Sequence, residues 1–289
     1  MPRRVVGSWP TPARATCTSS RRCSRARSGP WSWPNDRGVA CDAAWEATVA
    51  LPLWPSKPGS VANSHSCLGD GVTELWDERA QAYRDSKTHA EGDDLDLVVE
   101  WCAPGPGRKV IDVATGGGHV ARRLREQGCE VVTTDSSPGM KPDVVSRAED
   151  LPFADGSFDC AVSRIAPHHF GDIGRAIEEM ARVSNDVVVI EDTLFSSERH
   201  EQAEKLRDPT HVRNYTEDEW VELLTGAGLE VEQRQLHEKV HPLEDWLART
   251  GCEGEEAERV KELLADRMTD DGVAWTDVKL VLKARKSQR

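Results

Sequence analysis

No segment of this 289-residue chain contains an apolar run close to the ~20 residues that a membrane-spanning helix needs. The eight cysteines are scattered, and no two of them show the two-residue spacing of zinc or redox motifs. Basic residues are too few for a binder of nucleic-acid phosphates, since 37 lysines and arginines face 50 acidic residues. The sequence instead suits a soluble protein that acts on small molecules, with no nucleic-acid partner, no membrane span and a cytoplasmic location.

The first 70 residues differ in composition from the rest of the chain. They carry nine lysines and arginines against four acidic residues, are rich in serine, proline and tryptophan, and show no sustained helical or strand period. We expect residues 1–70 to be a disordered extension, for which an overlong gene start is one origin. An Arg-rich, Ser-rich and acid-poor segment also fits an organellar transit peptide, so that alternative stays open. The folded domain is expected over residues 71–289.

Periodic patterns of apolar residues begin at Val72 and alternate between helical and strand spacing. The predicted helices cover residues 73–84, 93–102, 119–127, 173–183, 216–227, 242–250 and 254–268. The predicted strands cover residues 110–114, 130–134, 143–147, 158–163, 187–190, 229–235 and 278–284. Strands that alternate with helices predict an α/β fold with a doubly wound, mostly parallel, seven-stranded Rossmann-like sheet.

Residues 109–121 contain an apolar strand, an acidic residue, a small-residue turn and the start of a helix, in that order. The three glycines at 116–118 can adopt backbone angles closed to other residues and let a ligand approach the main chain. The helix that follows points unpaired N–H groups at the turn. Asp112 places a carboxylate before the turn, which suits a cofactor with an ammonium group. Asp135 ends the next strand and can accept hydrogen bonds from ribose hydroxyls.

Two classes of cofactor fit these features. Residues 116–121 formally match the G-x-G-x-x-A pattern of dinucleotide sites, and Asp135 lies about where their ribose-binding acid lies. Asp112 argues against a dinucleotide, because its charge would repel a pyrophosphate held at the turn. S-adenosylmethionine is therefore the favoured cofactor, and an NAD(P)-dependent oxidoreductase stays as an outsider.

Three motifs carry a resemblance to a known family. Residues 110–119, Val-Ile-Asp-Val-Ala-Thr-Gly-Gly-Gly-His, resemble the first motif of class I S-adenosylmethionine-dependent methyltransferases. The Asp-Val-Ala-Thr-Gly form is most similar to the type 11 group that contains the ubiquinone and menaquinone C-methyltransferases. Residues 148–159 resemble that group's segment between the third and fourth strands, and residues 166–170 resemble its segment after the fourth strand. The resemblance covers roughly residues 73–286.

The resemblance implies a set of cofactor-binding residues. Asp112 and the glycine turn would hold the methionine part, Asp135 the ribose and residues 147–149 the adenine, while two residues after the fourth strand would close the pocket. The full set is Asp112, Ala114, Thr115, Gly116, Gly117, Gly118, Asp135, Ser136, Arg147, Ala148, Glu149, Ser163 and Arg164. No metal ligands are expected.

The chain departs from the family pattern at several positions. Ala114 stands where many relatives have the first glycine, and Arg147 replaces an aspartate that would contact the adenine. Residues 136–142 leave seven positions between the second and third strands, whereas a parallel crossover normally takes a dozen or more. The helix over the adenine is therefore expected to be truncated. A non-catalytic protein that binds S-adenosylmethionine or a partner remains the alternative function.

Two histidines are the candidates for proton transfer. His168 and His169 follow the fourth strand, at the edge of the sheet where open α/β folds bind ligands. With a pKa near ~6.5, a histidine can accept a proton at neutral pH. The predicted reaction is methyl transfer to a small-molecule acceptor, in which alignment of the reacting atoms has the largest effect. The pattern leaves open the acceptor, the methylated atom (oxygen, carbon or nitrogen) and the oligomeric state.

Overall fold

The computed structural model describes residues 55–57 and 71–287. Apart from residues 55–57, the predicted N-terminal extension lies outside the described residues, and its disorder and its boundary at residue 71 stay predictions. Ser56 forms an isolated antiparallel bridge with Phe153, next to the sheet domain's own segment 152–154. This contact shows that part of the first 70 residues packs on the domain.

In the described part of the chain, seven strands form one sheet. They are β1 (Lys109–Val113), β2 (Glu130–Asp135), β3 (Val144–Val145), β4 (Phe158–Arg164), β5 (Ser184–Thr193), β6 (Leu229–Pro242) and β7 (Ala274–Lys286). Their spatial order is β3-β2-β1-β4-β5-β7-β6. Strands β1 to β5 pair in parallel, and β7 is antiparallel to both of its neighbours. The predicted α/β class with a mostly parallel, seven-stranded sheet is confirmed.

Helices flank the sheet and fill the connections between its strands. They are α1 (Gly71–Arg84), α2 (Lys87–Ala90), α3 (Asp93–Trp101), α4 (His119–Glu126), α5 (Ile173–Val183), α6 (Glu198–Arg207), α7 (Glu217–Gly226), α8 (Leu243–Ala248) and α9 (Gly254–Leu263). The sequence pattern does not predict α2 or α6. Helix α2 has a single turn, and the side that α6 buries includes the polar residues His200, Glu201 and Glu204, so α6 has no apolar stripe to detect.

The side chains of the central strands alternate between two apolar cores, one on each face of the sheet. On one face Ile111 packs in a cluster with Ile177 of α5, and on the other face Val110 packs in a cluster with Leu124 of α4. All four side chains are fully buried. Each such burial contributes about 1.5–3 kcal/mol, so the two cores fix the position at which β1 and β2 end.

The connection between β2 and β3 contains a single 3-10 turn, Pro138–Met140, in place of an α-helix. The predicted truncation of this crossover is confirmed. Helix α1 packs on the turn: the Asp77 carboxylate accepts hydrogen bonds from the Ser137 hydroxyl at 2.5 Å and the Gly139 N–H at 2.7 Å. An N-terminal helix thus packs against the short crossover and ties it down.

Strands β6 and β7 are longer than their apolar runs predict. Their antiparallel register continues from Leu229 opposite Lys286 to Pro242 opposite Ala274. The second half of β6 is largely exposed, so it lacks the alternation of apolar and polar residues that marks a strand. Within the described residues, no helix is both long enough and apolar enough to cross a membrane.

Candidate functional site

A cavity of about 390 Å³ lies at the carboxyl ends of β1, β2 and β4. These ends meet at one edge because the three strands are parallel. Twelve of the fifteen predicted site residues line the cavity: Asp112, Ala114, Thr115, Gly116, Gly117, Asp135, Ser136, Arg147, Ala148, Glu149, Arg164 and His169. The other three, Gly118, Ser163 and His168, do not line it.

The glycine turn has the left-handed backbone that its composition predicts. Gly116 and Gly118 have φ values of +51° and +74°. A Cβ at Gly116 would meet open space, so this glycine leaves room beside the main chain on the cavity side. Ala114 also has a positive φ of +56°, which costs an L-residue about 1–2 kcal/mol. The departure from glycine at this position therefore leaves the turn intact with some backbone strain.

Asp112 lies at the end of β1 with 2% of its surface exposed. One carboxylate oxygen accepts hydrogen bonds from the Thr115 hydroxyl at 2.7 Å and the Ala121 N–H at 3.2 Å. Burial raises the pKa of Asp112 to about 6, although these two hydrogen bonds act in the opposite direction. A buried carboxylate without a salt-bridge partner among the described residues favours a bound cation at this position.

Asp135 ends β2 on the other side of the turn. One carboxylate oxygen accepts from the Gly116 N–H and the other from the Ser137 N–H, each at 3.0 Å. Burial raises the pKa of Asp135, and the backbone hydrogen bonds partly oppose this rise. Each oxygen keeps a lone pair, so the carboxylate can still accept hydrogen bonds from a ligand.

Residues 147–149 form another wall of the cavity. Ala148 is buried, whereas the Arg147 side chain is 47% exposed. The Glu149 carboxylate accepts from the Gly171 N–H at 3.0 Å, which connects this wall to the start of α5. Main chain and a small buried side chain therefore shape this wall.

The two residues at the end of β4 have different surroundings. Ser163 is fully buried, and its hydroxyl has no hydrogen-bond partner among the described residues. Arg164 lines the cavity, but its guanidinium donates to Glu191 and Asp94, each at 2.5 Å, and to the His89 carbonyl at 2.9 Å. Arg164 thus holds α2 and the start of α3 against the sheet and is not a free cation.

The two candidate histidines also differ. His168 lies 2.5 Å from the Asp192 carboxylate through Nδ1; burial lowers its pKa, but Asp192 raises it and the net change is upward. His169 lines the cavity and contacts the Trp76 ring edge-on, with 4.8 Å between the ring centroids. Burial and the neighbouring His168 lower the pKa of His169 well below its usual range.

The rest of the cavity comes from residues that motif reasoning does not assign to the site. Helix α1 contributes Trp76 and Tyr83, and the segment after α6 contributes Thr210 and His211. The heptad spacing of Trp76 and Tyr83 places both rings on one face of α1 and is the one signal for them in the sequence. No group of three or more His, Cys, Asp or Glu side chains suited to a metal ion occurs in residues 55–57 and 71–287.

Comparisons with known proteins agree with this geometry. Residues 111–190 match the family model of the methyltransferase domain. The chain is 29% identical over 212 residues to the uncharacterized methyltransferase YcgJ of Bacillus subtilis, covering 65% of this chain and 82% of the relative. A solved structure from Bacillus halodurans, provisionally assigned as a methyltransferase, is 26% identical with a TM-score of 0.62 and covers 68% of this chain and 100% of its own.

A relative with a named acceptor matches over a shorter part. The demethylmenaquinone methyltransferase of Corynebacterium kroppenstedtii is 39% identical over 88 residues, which is 28% of this chain and 38% of the relative. Trp76 and His211, on the far side of the cavity, lie outside the segment 111–190 that the family model matches. The segment that the family model matches therefore contains the glycine turn but not these two residues.

Proposed function

We propose that this chain, in which residues 111–190 match the family model of the methyltransferase domain, transfers a methyl group from S-adenosylmethionine to a small-molecule acceptor. The observation that carries the proposal is the pair of carboxylates, Asp112 and Asp135, on either side of the glycine turn in one cavity. Neither a dinucleotide nor a phosphate ligand calls for a buried carboxylate before the turn.

The residues present fit S-adenosylmethionine. We assign its α-ammonium group to the buried Asp112 carboxylate and its amino-acid backbone to the open space beside Gly116. The ribose hydroxyls are assigned to the remaining lone pairs of Asp135, and the adenine to the wall of residues 147–149. Gly118 shapes the turn, and we assign no direct contact with the ligand to Ser163, which does not line the cavity.

When bound, S-adenosylmethionine supplies an electrophilic methyl group on a sulfonium. The task of the protein is to hold the nucleophile of the acceptor in line with that methyl group and to exclude water. Trp76 and Tyr83 cover the cavity from α1. His169 is the group that we assign to accept a proton from the acceptor, because it lines the cavity and His168 does not.

NAD(P) is the less suitable ligand for this turn. The Asp112 carboxylate lies where a pyrophosphate would need N–H donors or cations, and the guanidinium of Arg164 is already occupied by Glu191 and Asp94. An oxidoreductase would therefore have to bind two phosphates next to an unbalanced negative charge.

The test is transfer of a labelled methyl group to an extract of small metabolites. We expect label to appear in a compound below about 1 kDa, with S-adenosylhomocysteine formed in equal amount. Binding of S-adenosylmethionine without transfer to any extract fraction would support the non-catalytic alternative. Binding of NAD without S-adenosylmethionine would contradict the proposal.

A further inference from the structure

Two segments meet at the far side of the cavity: the 3-10 turn Pro167–His169 after β4 and the residues that follow α6. His169 Nδ1 lies 3.0 Å from the Thr210 carbonyl oxygen and 3.1 Å from the Thr210 hydroxyl. A carbonyl oxygen can only accept a hydrogen bond, so Nδ1 carries the hydrogen. The lone pair of the neutral ring then lies on Nε2, which no described residue contacts by a hydrogen bond.

The orientation of Thr210 is set by Asp208. One Asp208 oxygen accepts from the Thr210 N–H at 3.0 Å and from the Thr210 hydroxyl at 2.7 Å. Since an ionised carboxylate only accepts, the Thr210 hydroxyl must donate to it, and its oxygen is left to accept from His169. Asp208 therefore orients the Thr210 hydroxyl so that its oxygen, like the Thr210 carbonyl, accepts a hydrogen bond from His169 Nδ1.

Asp208 is itself held in place by α1. Arg79 Nη1 donates to the same Asp208 oxygen at 3.0 Å, and Arg79 Nη2 donates to the Thr250 carbonyl at 2.7 Å. Burial raises the pKa of Asp208, but His169, the Thr210 hydrogen bonds and Arg79 lower it to about 2. Asp208 is thus a buried carboxylate that stays ionised at neutral pH.

Burial, together with the neighbouring His168, lowers the pKa of His169 and keeps its ring neutral. The two rings lie 4.1 Å apart between centroids, and His168 is paired with Asp192 of β5. Environments that push the pKa values of two adjacent groups in opposite directions are typical of acid–base sites. The titratable and charged groups around the His169–Asp208 pair are Arg79 and Tyr83 of α1, His168, Asp192 of β5, Arg207 of α6, His211, and Arg249 after α8.

We propose that Asp208 is a positioning residue that acts through Thr210: it holds His169 as the Nδ1–H tautomer, so that Nε2 takes the proton of the methyl acceptor. This inference rests on the proposed function. The nucleophilic atom of the acceptor loses its proton to Nε2 and forms a bond to the methyl carbon. The bond between that carbon and sulfur breaks, and its electron pair stays on sulfur as the sulfonium becomes a thioether.

The arrangement also restricts the acceptor class. A bare Nε2 is useful for a nucleophile that carries a hydrogen, such as a hydroxyl, an amine N–H or an acidic C–H. Carboxylates and tertiary amines have no proton to give at the reacting atom, so we expect them to be poor acceptors. His169→Ala should therefore lower the rate of methylation most for acceptors whose reacting atom carries a hydrogen.

The first test is NMR of the full-length protein with ¹⁵N-labelled histidine, which distinguishes Nδ1–H from Nε2–H rings. We expect His169 to be neutral and Nδ1–H at pH 7. In Asp208→Ala the Thr210 hydroxyl loses the carboxylate oxygen that accepts its hydrogen and is free to donate to Nδ1, so the Nε2–H fraction should rise. The matched control Asp266→Ala, at an exposed carboxylate, should leave the His169 signals unchanged. An Nε2–H ring in the wild type, or no rise of the Nε2–H fraction in Asp208→Ala, would overturn the proposal.

The second test is kinetic. We expect Asp208→Ala to lower kcat by about 10- to 100-fold, which is less than the roughly 10²- to 10⁴-fold effect of a general acid or base itself, and to leave KM for S-adenosylmethionine within about twofold. A double variant with His169→Ala should be no slower than His169→Ala alone, because the two residues act as one unit. If the double variant lost kcat by the product of the two single losses, a role of Asp208 through His169 would be contradicted.

A milder variant covers the case in which Asp208→Ala does not fold. Thr210→Val removes one of the two acceptors at Nδ1 and keeps the volume, so the Nε2–H fraction should rise, whereas Thr210→Ser should resemble the wild type. Equal tautomer populations in both Thr210 variants would count against the proposal. The tautomer measurement needs no methyl transfer, so a protein that fails to bind S-adenosylmethionine refutes the proposed function while the tautomer result stands separately.

Discussion

Asp112 is the residue whose environment has the clearest consequence for ligand binding. Its pKa is raised to about 6 by burial, so the carboxylate is mostly protonated at pH 5 and mostly ionised at pH 7. Only the ionised form attracts an ammonium group. We therefore expect the affinity for S-adenosylmethionine to fall about tenfold from pH 7 to pH 5.

Titration calorimetry at several pH values measures this dependence. Asp112→Asn should bind weakly and lose most of the slope, because the group that titrates has been removed. Asp135, whose pKa is also raised, accounts for the slope that remains. A wild-type affinity that is constant from pH 5 to pH 7 would show that Asp112 does not hold the ammonium group.

His169 is the residue that we expect to separate binding from turnover. His169→Ala should keep the affinity for S-adenosylmethionine and lower kcat by about 10²-fold or more, since the variant lacks the proton acceptor. Calorimetry and initial rates on the same preparation check both parts. An unchanged rate would reduce His169 to a packing residue against Trp76.

The sequence identifies this pair of histidines but not their separate roles. Those roles depend on Asp192 and Thr210, which lie 24 and 41 positions further along the chain. Neither partner belongs to a motif. Adjacent residues on a single turn can face different environments, and this is a tertiary property that local patterns do not contain.

At the scale of elements, α1 packs against the truncated crossover between β2 and β3 and stabilises it. Asp77 ties α1 to the turn after Asp135 through Ser137 and Gly139. Asp77→Ala removes both hydrogen bonds and should loosen the ribose side, so we expect an affinity for S-adenosylmethionine about three- to tenfold lower. Glu78→Ala, the exposed neighbour on the same helix, is the control for a general effect on α1. Equal affinities of both variants and the wild type would mean that α1 does not support the site.

The elements differ in how well their sequences predict them. Helix α5 is predicted with both of its bounds, because apolar residues recur along its buried side and Asp172 caps its N-terminus through the Arg175 N–H. Helix α6 is missed because it buries charged residues, and the full length of β6 is missed because that strand is exposed. Patterns of hydrophobicity detect helices and strands only where the buried residues are apolar and the exposed residues are polar.

At the scale of the whole molecule, binding of S-adenosylmethionine should increase the free energy of unfolding. At a concentration 100 times its Kd, a ligand that binds only the folded state adds about 2.7 kcal/mol. For a domain of this size that corresponds to a rise in Tm of about 5–10 °C. Thermal unfolding followed by tryptophan fluorescence measures it, with Asp135→Ala as the variant that should show no rise. A rise of equal size with NAD would contradict the assignment of the cavity.

The two halves of the cavity show how far a sequence can be interpreted at this scale. The half around the glycine turn is continuous in sequence from Asp112 to Gly117, and its prediction needed only local spacing. The other half combines α1, the turn after β4 and the residues after α6, which are distant in the chain and come together only in the folded sheet. No acceptor can be predicted from motifs because no motif spans these segments.

The most direct test of the account is a calorimetric titration of the wild type and Asp135→Ala with S-adenosylmethionine. We predict saturable binding with one site in the wild type and none in the variant at ligand concentrations up to about 1 mM, a loss on the order of 100-fold or more for removal of a charged hydrogen-bond acceptor. Failure of the wild type to bind, or undiminished binding by Asp135→Ala, would contradict the claim that the two carboxylates flank the ligand.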